Sequence, residues 1–221
     1  MTPDCLKKQL EMVFEDICPD AVKVGMVPSA GLIDVIADIC ARYEVRNLVL
    51  DPVMVSTSGT ALIPEEAVEH MRKKLFPAAR VITPNIPETE ALTGMEIHTR
   101  EDRILAAETL YESAGCAVLC KGGHGVQDAS DLLIDENGIH WFEEKRIDNP
   151  NTHGTGCTLS SAIASYLARG EDLETSVRLA KKYISGALAD GMDLGRGSGP
   201  LNHGFQFYPS GTCNRESIDL K

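Results

Sequence analysis

Seven consecutive residues, Asn151-Thr152-His153-Gly154-Thr155-Gly156-Cys157, carry the most specific chemistry in this sequence. The two glycines permit a tight turn whose amide N–H groups stay uncovered. Behind them the spacing of Leu159, Ile163, Ala164 and Leu167 predicts a helix over Thr158 to Ala168. A helix N-terminus entered through glycine suits an anion, and phosphate is the common one. Cys157 then stands where the helix dipole would favour a thiolate. An ordinary loop with a small buried cysteine fits the same local pattern, so the turn acquires meaning only from its neighbours.

Four such neighbours exist, each at the end of its own apolar run: Lys23-Val24-Gly25-Met26, Asp51-Pro52-Val53-Met54, Thr83-Pro84-Asn85-Ile86-Pro87-Glu88 and Lys121-Gly122-Gly123-His124. Singly, each is what turn chemistry produces. Jointly, one per strand, they lie where an open α/β sheet keeps its ligand, at the C-terminal strand ends.

The elements that must hold them alternate along the chain. Helices are predicted over Leu6 to Ile17, Ala30 to Tyr43 (with Ser29 as cap), Pro64 to Leu75, Pro87 to Leu92, Arg100 to Ser113 and Leu173 to Met192. Strands are predicted over Ala21 to Met26, Asn47 to Leu50, Arg80 to Ile82 and Ala117 to Leu119. The period then changes: Ser130 to Ile134 and Ile139 to Phe142 flank Asp135-Glu136-Asn137-Gly138, a hairpin signal. The fold class is α/β, a mostly parallel sheet flanked by helices with a late antiparallel hairpin. With 221 residues, 43% of them hydrophobic, one large domain can bury a full core. A net charge of −12 argues against nucleic acid or anionic membrane as the main partner. Apolar runs are short, the N-terminus lacks a leader pattern, and seven scattered cysteines suit a reducing cytoplasm.

In these motifs and their order the sequence resembles the hydroxymethylpyrimidine/phosphomethylpyrimidine kinases of thiamine synthesis, which are ribokinase-like. Gly199-Pro200-Leu201-Asn202-His203 adds a sixth matching stretch, and the resemblance runs from about Pro3 to His203. The cysteine is its sharpest mark, because most ribokinase-like enzymes carry Asp at the end of that turn. Residues 1–203 would form the kinase domain and 204–221 a loose tail.

The resemblance implies a role for each matching residue. Cys157 would be the base that deprotonates the hydroxymethyl acceptor, and the amides of Gly154, Thr155 and Gly156 would hold the transferring phosphoryl. Asp51, Asn85 and Glu88 would organise Mg²⁺, largely through water. Lys121, Gly122, Gly123 and Thr152 would line the ATP side, and Met26 and Val53 would pack on the pyrimidine. A homodimer in the cytoplasm is implied as well. A thiol base also makes electrostatic sense: a phosphomonoester acceptor already carries roughly −1.5 to −2 charge, and a carboxylate beside it would add repulsion.

The sequence departs from the family pattern at its start. Its first residues match the helix after the family's opening strand, Gly-rich substrate loop and helix, so a unit of roughly 30 residues or more is expected to be missing. No residue here is assigned the loop or its ring-binding glutamine. The expected reaction is ATP-dependent phosphorylation of 4-amino-5-hydroxymethyl-2-methylpyrimidine and then of its monophosphate. Two other readings stay open: a pyridoxal or pyridoxine kinase, and a non-catalytic or partner-dependent remnant.

Overall fold

The computed structural model describes residues 1–54, 62–123, 129–144, 146–150, 152–192, 194 and 197–208. His124 and Asn151 of the sequence motifs therefore lie outside the described residues, as does most of the expected tail. The first helix, α1 (Pro3–Asp16), starts earlier than its apolar spacing indicates, because Thr2 caps it and Pro3 opens it. It leads into β1 (Val22–Val24), α2 (Ala30–Arg42) and β2 (Leu48–Leu50). Ser29 occupies the N-cap of α2 but its hydroxyl makes no capping bond; its carbonyl takes the Leu32 and Ile33 amides instead.

Next come α3 (Glu65–Lys74), a 3-10 turn (Phe76–Ala78), β3 (Val81–Ile82), α4 (Ile86–Thr93), α5 (Arg100–Ala114) and β4 (Ala117–Cys120). Pro64 sits one step before α3 as its N-cap, where its missing N–H costs nothing. The hairpin pairs β5 (Asp131–Asp135) with β6 (Gly138–Phe142), and Gly138 adopts φ 118, which its sequence position as a turn glycine requires. Finally α6 (Thr155–Ala168) and α7 (Leu173–Ala189) pack together.

The six strands lie in sequence order, β1 to β6. The first four are parallel and the last two antiparallel, which is the mostly parallel sheet with a late hairpin that the sequence predicts. Alternation along the strands divides the core in two. Leu48, Leu50, Ile82 and Val118 meet Ile33 of α2, Met71 of α3 and Leu110 of α5 on one face. Val49, Val81, Leu119 and Leu133 meet Leu159 and Ile163 of α6 and Val177 of α7 on the other. The crossover helices thus fill one face, and α6 and α7, arriving after the hairpin, close the other. Among the described residues no helix is long and apolar enough to cross a membrane.

Candidate active site

The polar residues after the strands are held by continuation of the sheet ladder. The Asp51 amide donates to the Val24 carbonyl (2.8 Å), Thr83 to Leu50 (2.9 Å) and Lys121 to Pro84 (2.8 Å). An isolated parallel bridge between Asn85 and Lys121 extends the pattern. Three motifs distant in sequence are therefore fixed side by side at one end of the sheet.

Asp51 is their hub. It is 1% exposed, and its Oδ1 accepts from Lys121 Nζ (2.7 Å) and Thr83 Oγ1 (3.2 Å). Oδ2 accepts from Ser160 Oγ of α6 (3.3 Å) and has Lys23 Nζ at 3.9 Å. A carboxylate so buried is tolerated because it is paired and hydrogen-bonded. Asp51 and Lys121, to which the family resemblance gives metal and nucleotide roles, meet in one ion pair. Ser160 is a partner that no sequence motif marks, and Lys23, which stands in the first strand-end motif, has no role assigned from sequence.

Above this hub stands the N-terminus of α6. The helix begins at Thr155, three residues before the expected Thr158, because Gly154 takes the left-handed conformation (φ 82) and turns the chain into it. Gly156 and Cys157 thereby belong to its first turn. The Thr155 amide donates to the Thr152 carbonyl at 3.3 Å, and no backbone acceptor among the described residues takes the Gly156 or Cys157 amides. A Cβ on Gly156 would lie 3.5 Å from Lys121 Nζ, an ordinary contact distance, so the helix end and that ammonium are immediate neighbours. Cys157 is exposed, and so is Thr152.

Asn85 and Glu88 form a capping box at the start of α4. Glu88 Oε2 accepts the Asn85 amide and Asn85 Oδ1 accepts the Glu88 amide, both at 2.8 Å. Burial pushes the Glu88 carboxyl up, and the Lys121 ammonium and the amides of Asn85 and Met54 partly offset this. Asp51, Asn85 and Glu88 offer only oxygen donors, which suit a hard divalent cation. Each is already engaged by protein hydrogen bonds, which favours contact through water. Among the described residues no three His, Cys, Asp or Glu side chains converge as a direct metal cage.

Met26 is 50% exposed beyond β1 and Val53 is half-buried beyond β2, so both face outward at the same end of the sheet. Gly122 packs so tightly that a Cβ would reach 2.2 Å from the Ser130 carbonyl oxygen, and Gly123 adopts φ 85. A buried buttress holds this loop. Asp131 accepts from the Gly122 amide and from Lys181 Nζ of α7, both at 2.7 Å, while Arg103 of α5 donates to the Cys120 (2.8 Å) and Ser130 (2.6 Å) carbonyls. No motif announces the buttress, since its members come from three separate elements. Alongside α6 a cleft of about 610 Å³ runs from Gly154 and Cys157 to Arg169, with Tyr183 and His203 on its far side.

An anion-receptive helix end, two ammoniums and buried carboxylates on an α/β sheet are the groups that phosphoryl transfer calls for. The pyridoxal kinase of Staphylococcus aureus, solved with AMP-PCP, superposes with a TM-score of 0.84 at 31% identity, covering 92% of this chain and 74% of that one. The phosphomethylpyrimidine kinase of Clostridium difficile 630 matches at 43% identity and a TM-score of 0.74, covering 84% and 76%. The chain belongs to the phosphomethylpyrimidine kinase family, which it matches over residues 1–202. The hydroxymethylpyrimidine/phosphomethylpyrimidine kinase of Streptomyces coelicolor is 42% identical over 91% of this chain and 75% of its own length. The thiamine biosynthesis bifunctional protein ThiED of Geobacter sulfurreducens is 46% identical, and this chain spans 41% of its length.

Proposed function

We propose that this chain phosphorylates hydroxymethylpyrimidine and then its monophosphate, with ATP as donor, in thiamine biosynthesis. The observation that carries the reading is the placement of Cys157 in the first turn of α6, beside uncovered amides and above the Asp51–Lys121 pair. In this reading the Gly156 and Cys157 amides receive the transferring phosphoryl, as preorganised donors that need no rearrangement. Cys157 Sγ takes the proton of the acceptor hydroxymethyl group. Lys121 and the Gly122–Gly123 turn bind the donor phosphates, with Thr152 at the margin, and Met26 and Val53 pack on the pyrimidine. Asp51, Asn85 and Glu88 would hold Mg²⁺ through water, and the ion supplies neutralisation of phosphate charge. The active form is taken to be a cytoplasmic homodimer, in keeping with the family resemblance and the free state of all six described cysteines.

Phosphorus NMR of the chain with Mg-ATP and each acceptor tests the reading. Monophosphate from the alcohol and diphosphate from the monophosphate are expected. Cys157→Ala should lower turnover by about 10²–10⁴-fold, the usual worth of a positioned base, while leaving nucleotide affinity intact. Transfer to pyridoxal alone would instead favour the activity named for the Staphylococcus aureus neighbour.

A further inference from the structure

Lys23 is a charged group that the roles above leave unused. The parallel register pairs it with Val49, a residue of the core beneath α6, so its side chain leaves β1 on the α6 side of the sheet. From there it runs forward along the strand toward its C-terminal end. A Cβ built on Gly25 would lie only 2.8 Å from Lys23 Nζ, so the ammonium occupies the space that a side chain two positions on would fill. Residues i and i+2 share a strand face, so glycine at this position leaves that space to the ammonium. It carries the ammonium to 3.9 Å from Asp51 Oδ2, whereas Lys121 holds Oδ1 at 2.7 Å.

The two lysines thus straddle one carboxylate. Lys121 comes from β4 and the glycine turn of the donor side; Lys23 comes from β1, three residues before the outward-facing Met26. Lys121 answers the Asp51 charge at contact distance, and Lys23, at 20% side-chain exposure, stays within reach of a ligand. We infer that Lys23 is the acceptor-side cation: it binds the phosphate of a phosphorylated acceptor and so selects for the second phosphorylation. The inference rests on the kinase reading above. An acceptor monophosphate brings a charge of roughly −1.5 to −2 toward a donor already anionic, and a cation on its own side of Asp51 relieves the repulsion. A neutral hydroxymethyl acceptor needs no such partner.

Calorimetric titration tests this with the donor side filled by Mg²⁺ and a non-hydrolysable ATP analogue. The ligands are hydroxymethylpyrimidine, its monophosphate and inorganic phosphate. Two variants perturb the ammonium differently: Lys23→Met removes it, and Gly25→Ala displaces it while keeping the charge. Both should weaken the monophosphate by about 10- to 100-fold, the worth of one charge-assisted hydrogen bond, and leave the alcohol within about twofold. Equal weakening of both pyrimidines, or of neither, overturns the inference. If the unaltered chain takes neither pyrimidine, the substrate reading fails on its own, and inorganic phosphate decides the cation's role. Phosphate binding lost in both variants upholds it; binding that persists without Lys23, or that never occurs, refutes it.

Discussion

Cys157 differs in setting from the buried thiols among the described residues. Burial pushes the Cys40 thiol up to about 11 and the Cys116 thiol up to about 12, so neither can supply thiolate near neutrality. Cys120 is buried as well, whereas Cys5, Cys18 and Cys157 are exposed. Iodoacetamide at about pH 8, read by peptide mass mapping, should label Cys5, Cys18 and Cys157 and spare Cys40 and Cys116, because reactivity follows thiolate and access. Adding Mg-ATP should protect Cys157 alone among the three. Labelling of Cys116 in the folded chain would contradict the packing described. At this scale the sequence was most informative about residues whose neighbours in space are neighbours in the chain, such as the Asn85–Glu88 capping box. It was silent on Ser160 and on the pairing of Lys23 with Asp51, since both links depend on sheet register and helix placement.

The elements turn short polar motifs into a site, and most of them are legible. Apolar triplets such as Leu48-Val49-Leu50 suit inner strands buried on both faces, and the hairpin announces itself through Asp135 to Gly138. The start of α6 was misjudged because apolar spacing begins at Leu159, whereas the backbone turns at Gly154; the conformation of one glycine outweighs the period. The buttress under the glycine turn was invisible, because Lys181 reads as one more cation on an amphipathic helix. Its burial gives it a measurable role. Lys181→Met leaves Asp131 buried and without its cation, and urea melts should show a loss of about 3–5 kcal/mol. The double variant with Asp131→Asn retains an acceptor for the Gly122 amide and should recover part of that loss. Equal melts for wild type and Lys181→Met would mean that the pair adds no stability.

Across the whole molecule the site is assembled from β1, β2, β3, β4 and α6, so a ligand that bridges these ends ties together both halves of the core. Mg-ATP at about 100 times its dissociation constant should stabilise the folded chain by about 2.7 kcal/mol, seen as a rise in melting temperature. Lys121→Met should diminish that rise, and a rise of wild-type size in this variant would remove Lys121 from the donor site. The central claim concerns one place, the first turn of α6 above Asp51 and Lys121. A crystal structure with Mg²⁺ and a non-hydrolysable ATP analogue tests it most directly. The terminal phosphate should accept the Gly156 and Cys157 amides at about 2.7–3.2 Å, with Cys157 Sγ on the side open to the acceptor. A terminal phosphate seated elsewhere, with those amides facing solvent, would contradict the account.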